Sequence, residues 1–187
     1  VHRESIDRLT AVREVLAGAG VECPGISVGD TPTCSLAGDF AGVSEIRPGN
    51  FVFFDLMQLT LGVCAPEDLA AVVACPVLSV YPDRGRVLLY GGSVHLSSES
   101  LDLGERGRLF GCMGGLAEDA PGSPDVPDGD LPVVSISQEH GLARIPAEGL
   151  DRVRAGDLVL VFPVHACITC NLYDEYLDPD GNRIARL

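Results

Sequence analysis

The sequence predicts an α+β chain: the end of an α/β unit over residues 1–50, then a mostly antiparallel β domain over residues 51–187. Three observations predict it. An amphipathic helical period near the N-terminus is followed by a short apolar run and a Gly/Thr loop, the order of elements in an α/β barrel or open sheet. After Gly49 the helical period gives way to β-branched apolar runs separated by turn residues. At 187 residues, 46% of them apolar, the chain is long enough to bury a core.

The helix is expected over Ser5 to Ala19, where Ile6, Leu9, Val12, Leu16 and Ala19 recur at spacings of three and four, with Ser5 as N-cap. Gly25-Ile26-Ser27-Val28 reads as a buried strand, and Gly29-Asp30-Thr31-Pro32-Thr33 as the loop after it. Phe51 to Phe54 reads as a strand, as does the β-branched end of the apolar run Leu69 to Val80. Asp83-Arg84-Gly85 before Arg86-Val87-Leu88-Leu89-Tyr90 marks a hairpin. Val133 to Ser137, Leu158 to Phe162 and Leu172 to Leu177 are further strands, and Asp178-Pro179-Asp180-Gly181 turns into a last short one. Glu118 to Pro132, rich in Pro, Gly and Asp, is expected to be a solvated loop.

The formal charge of −14 argues against a nucleic-acid binder, which needs a basic stripe, and against an anionic membrane surface as partner. No segment has the roughly 18 apolar residues that span a bilayer. Seven irregularly spaced cysteines do not make a disulfide framework, so a reducing cytoplasm is the expected compartment.

Four segments carry candidate chemistry. In His165-Ala166-Cys167, residues two apart on an extended stretch project to one side, so an imidazole and a thiolate are placed to share a divalent metal, zinc being the natural choice. The same spacing also suits a partly buried histidine beside a core cysteine. Cys167-x-x-Cys170 lacks the second such pair that a zinc ribbon needs, and the βαβ setting of a thioredoxin-like redox pair is not expected before it. Gln138-Glu139-His140-Gly141 is either an acid/base or metal-supporting cluster or an ordinary strand end. Gly29-Asp30-Thr31 either holds a phosphate or caps a helix. Gly91-Gly92 permits close approach of backbone or ligand, and His95 three residues on reads as structural.

As a set, these segments and Glu45 to Asp55 resemble, in order and separation, the D-threonine aldolase and D-serine dehydratase family of fold-type III, alanine-racemase-like pyridoxal phosphate enzymes. The resemblance covers essentially the whole chain. It implies that residues 1–50 are the last units of a TIM-like cofactor barrel and that the rest is a D-serine dehydratase-like domain. It implies that His165 and Cys167 bind the metal, with cysteine in the second place closer to the zinc-dependent dehydratase branch. It implies that Gly29, Asp30 and Thr31 contact the cofactor phosphate, with Asp55 an acid near the cofactor. The reaction implied is loss of the β-hydroxyl or β-carbon of a D-amino acid, with the metal polarising that hydroxyl. The family's Schiff-base lysine precedes anything here, and all 13 basic residues of this chain are arginine. The expectation is a C-terminal portion of a lyase, inactive alone, completed by the missing barrel half or a homo-oligomer partner. The alternatives are a non-catalytic metal-binding or interaction domain, and a metal-only hydrolase using Glu139.

Overall fold

The computed structural model describes residues 2–116 and 131–186. The loop expected over Glu118 to Pro132 falls almost wholly outside them. The chain divides into two compact units, Val1–Val52 and Phe53–Leu187.

In the first unit, helix α1 (His2–Gly18) is followed by β1 (Ser27–Gly29), α2 (Thr31–Leu36) and β2 (Glu45–Arg47). β1 and β2 pair in parallel, Val28 opposite Ile46, so α2 lies in the crossover of a small β-α-β unit. Helix α1 begins three residues before the expected N-cap. Its first turn is tied down from outside: Arg3 pairs with Asp39, and His2 Nε2 lies 2.9 Å from the Asp39 carbonyl oxygen. Of the apolar stripe that marked this helix, only Ile6 is buried, while Leu9 and Val12 are exposed. This unit leaves that face of α1 uncovered.

The second unit is built on a six-stranded antiparallel sheet in the order β7-β10-β3-β4-β9-β8, where β3 is Val73–Tyr81, β4 Arg86–Tyr90, β7 Gly111–Leu116, β8 Val133–Ile136, β9 His140–Arg144 and β10 Leu158–Pro163. Its edges nearly close into a barrel: the Phe110 N–H donates to the Val133 carbonyl (2.8 Å) and the Met113 N–H to that of Leu131 (2.9 Å). The period of two decides what is inside. Val87 and Leu89 of β4, Val159 and Val161 of β10 and Ala143 of β9 fill one core with Cys75, Val77, Leu96 and Met113. Phe162 points the other way, into a second cluster with Leu56, Leu69, Leu109, Cys112 and Val164. Two short pairs complete the unit: β5 (Leu101–Asp102) with β6 (Arg108–Leu109), and β11 (Glu175–Leu177) with β12 (Arg183–Ala185). The helices are single turns: α3 (Leu56–Thr60), α4 (Ser93–Leu96), α5 (Ala147–Leu150) and α6 (Ala166–Cys170).

The antiparallel β domain and the hairpin at 82–86 stand as the sequence predicts, Gly85 supplying the left-handed residue (φ 57°). Phe51 to Phe54 is not a strand. Residues 50–52 make a 3-10 turn and Phe54 takes φ 46°, so the chain turns into α3 rather than continuing extended. The strand expected from Leu172 begins only at Glu175. No helix among the described residues is long and apolar enough to cross a membrane.

Candidate metal centre

Strand β10 ends at Pro163, and Val164, fully buried, anchors the chain as it leaves the sheet. His165 then stands as N-cap of α6 with extended backbone angles (φ −133°, ψ 102°), but the chain is helical from Ala166 onward. The extended spacing expected for His165 and Cys167 is therefore corrected: the histidine precedes a helical turn and the cysteine lies within it. The Cys167-x-x-Cys170 pair does follow a strand into a helix, contrary to expectation, although that strand is antiparallel.

The cause of the turn is Asp55. Its carboxylate is almost fully buried and accepts two backbone N–H groups, Gln58 on Oδ1 (2.9 Å) and Ala166 on Oδ2 (2.8 Å). One side chain thus caps α3 and α6 together, with the Met57 N–H donating to the Val164 carbonyl (3.2 Å) beside it. Within α3, Gln58 Oε1 is buried without a hydrogen-bond partner among the described residues.

The other face of α6 is stitched to α4. The Thr169 hydroxyl donates to the Leu96 carbonyl (3.0 Å) and the Tyr173 hydroxyl to that of His95 (3.2 Å). Ser97, buried and at φ 71°, then turns the chain sharply, and its Oγ accepts the Glu99 N–H (3.3 Å). That turn delivers Glu99, whose Oε2 lies 2.5 Å from His165 Nδ1. No motif in the sequence marks Glu99. The bond fixes the role of each ring nitrogen: with Nδ1 engaged by a carboxylate, Nε2 is the nitrogen left to bind a metal. Cys167 is exposed. Partial desolvation still pushes its thiol above the ordinary value, and Asp55 and Glu99 push it the same way. A divalent cation would counter both carboxylates and favour the thiolate.

Among the described residues no group of three or more His, Cys, Asp and Glu is arranged around one point. His165 and Cys167 by themselves would offer two donors, fewer than the four that close a structural site. Neither other histidine in this unit joins it. His95 Nδ1 accepts the Gly92 N–H (3.3 Å) and its ring packs on Tyr90 (4.7 Å), while His140 meets the same tyrosine edge-on. The Gly91-Gly92 pair makes room for backbone: a Cβ on Gly92 would stand 2.5 Å from the His140 nitrogen. Glu139 is exposed, on the bend before β9.

In the first unit, Asp30 (φ 75°) caps α2 by accepting the Thr33 N–H (2.6 Å), and Thr31 Oγ1 accepts the Asn50 N–H (2.8 Å). The Asp30 carboxylate occupies the donor that a phosphate would use, and Pro32 offers none. With no lysine in the chain, these residues do not by themselves fit pyridoxal phosphate.

The nearly closed antiparallel β barrel places the chain among structural neighbours described as alanine-racemase-like. An ala racemase-like protein from Idiomarina loihiensis superposes with a TM-score of 0.77 at 31% identity, over 92% of this chain and 45% of its own. Residues 70–177 match the family model "Putative serine dehydratase domain", and the chain belongs to that family. Among its relatives, D-threo-3-hydroxyaspartate dehydratase of Delftia sp. (strain HT23) is 35% identical over 176 residues, 90% of this chain and 45% of the relative. D-serine dehydratase of Dictyostelium discoideum is 29% identical over 174 residues, 86% of this chain and 40% of the relative. The chain thus spans somewhat under half the length of these enzymes. The Delftia enzyme has also been solved as a Cys→Ala variant in the metal-free form and as a variant with a histidine two positions earlier replaced by alanine.

Proposed function

We propose that this chain is the metal-bearing β portion of a zinc- and pyridoxal-phosphate-dependent D-amino acid lyase acting on a β-hydroxy substrate, of the D-serine or D-3-hydroxyaspartate dehydratase type. The observation that carries the reading is the Glu99–His165 pair with Cys167 two residues further on, in the first turn of α6. The histidine and cysteine altered in the Delftia enzyme have the same spacing as His165 and Cys167, which supports it.

Zinc held there would supply a Lewis acid for the substrate hydroxyl. Glu99 engages Nδ1 and leaves Nε2 of His165 for the metal, Asp55 sets the backbone from which both donors project, and the exposed Cys167 would leave room for the substrate oxygen. The lysine for the cofactor would come from outside residues 1–187, from a barrel half or a homo-oligomer partner. Alone, residues 1–187 are then inactive on D-serine. A non-catalytic metal-binding domain is the second reading, favoured by the absence of lysine.

The test is elemental analysis of the purified chain against His165→Ala and Cys167→Ala. About one zinc per chain, lost in both variants, is expected. A chain that carries no zinc after equilibration with it, or holds it equally well in both variants, would sink the reading.

A further inference from the structure

We propose that Arg84, Arg86 and Arg144 form a second binding site, one that takes a multivalent oxyanion such as a phosphate group or a di- or tricarboxylate. Arg86 opens β4 and Arg144 ends β9, and the two are direct cross-strand partners. Their neighbours Val87 and Ala143 point into the core, so both guanidinium stems leave from the outer face of the sheet. Arg84 stands in the turn just before. Together they line a groove of about 750 Å3 whose apolar wall includes Leu109 and Ile145. Its backbone is held close: the Ile145 N–H donates to the Gly85 carbonyl (3.1 Å), and a Cβ on Gly85 would stand 3.0 Å from the Ile145 carbonyl oxygen.

Two like charges directly opposite on antiparallel strands repel, and a third arginine adds to the cost. The chain has acids in excess to relieve this, 27 against 13 basic residues. Arg3, Arg8, Arg47, Arg183 and Arg186 each pair with a carboxylate. None of the three groove arginines makes an ion pair among the described residues; Arg86 donates only to the Gly85 carbonyl (3.2 Å). Among the described residues that line the groove the single acid is Glu105, against three arginines. Guanidinium forks facing one another across a strand pair match a multivalent oxyanion, which would convert the repulsion into charge-assisted bonds. The groove shares no residue with the His165 site. Arg86 and Tyr90 mark opposite ends of β4, so it lies some 13 Å along the strand from the Tyr90–His95 packing.

Isothermal titration of the whole chain with inorganic phosphate, at constant ionic strength, tests the proposal, with citrate as a second arm. Phosphate or citrate should bind, and Arg86→Gln and Arg144→Gln should each weaken binding about tenfold or more. Arg183→Gln, in the β11–β12 hairpin, should leave it unchanged. Tighter binding of phosphate than of citrate identifies the ligand as a phosphate compound, and the reverse as a carboxylate. If Arg86→Gln perturbs the circular dichroism, the exposed Arg144→Gln decides. Absence of binding in both arms, or binding that survives both substitutions, overturns the proposal.

Discussion

His165 Nδ1 meets Glu99 Oε2 at 2.5 Å, across 66 residues of sequence. A carboxylate on one ring nitrogen orients the imidazole and raises the basicity of the other, so on the proposed reading the pair would prepare a metal donor before any metal arrives. Glu99→Gln should therefore keep the fold and lower zinc affinity about 10- to 100-fold. Competition against a chromophoric chelator measures it. An unchanged affinity would reduce Glu99 to a surface ion pair.

Asp55 is the structural counterpart of that pair. It accepts one N–H from each of two helices in a buried setting. Two such charge-assisted bonds contribute about 1.5–3 kcal/mol each. Asp55→Ala should destabilise the chain by about 3 kcal/mol or more, and Asp55→Asn, which keeps one acceptor, by less. Denaturant midpoints at constant slope report it, and Asp55→Ala should also loosen zinc binding, since His165 sits on the capped turn.

How far the sequence discloses this arrangement depends on the range of the interactions. Val87 and Leu89, or Val159 and Val161, betray their strands because inward residues recur every second position. The hairpin at Gly85 is legible because only one residue type takes its angles at no cost. β9 is hidden, since Gln138 to Gly141 reads equally as a chemical cluster or a strand end; Gly141 lets the carbonyl oxygen of Gly91 lie 2.5 Å from where its Cβ would be. The 3-10 turn at 50–52 is hidden because Phe51 and Val52 have strand propensity, while Phe54 at φ 46° and the Asp55 cap decide the path. His165 and Cys167 stand out as a motif. Glu99 does not, because its position depends on the turn at Ser97 and the α4–α6 stitching, both tertiary. The role of Asp55 as a double cap is invisible for the same reason.

Gly92 is where backbone approaches backbone. A methyl group there would meet the His140 nitrogen, the Gln138 oxygen and the Glu139 carbonyl carbon at 2.5–2.6 Å. None of these atoms rotates away as a side chain would. Gly92→Ala should cost about 2–3 kcal/mol, an overpacking effect, and lower the thermal midpoint. Gly38→Ala, with nothing within 4 Å of its Cβ position, is the matched control and should leave the midpoint nearly unchanged.

The cysteines separate by environment, and this gives a reading of the metal site that needs no activity. Cys75 is fully buried in the barrel core, and burial pushes its thiol up to about 12. Cys167 is exposed, so despite its raised thiol it can meet a reagent. In the native chain an aromatic disulfide reagent should modify Cys167 within minutes and leave Cys75 untouched until unfolding. Raising the pH from 7 to 9 should speed Cys167, because its thiolate fraction grows, and leave Cys75 unmodified. Added zinc should protect Cys167 in the wild type and fail to protect it in His165→Ala. Mass mapping of the labelled peptides distinguishes the sites. Equal labelling of Cys167 with and without zinc, in a chain that retains the metal, would move the centre away from this thiol.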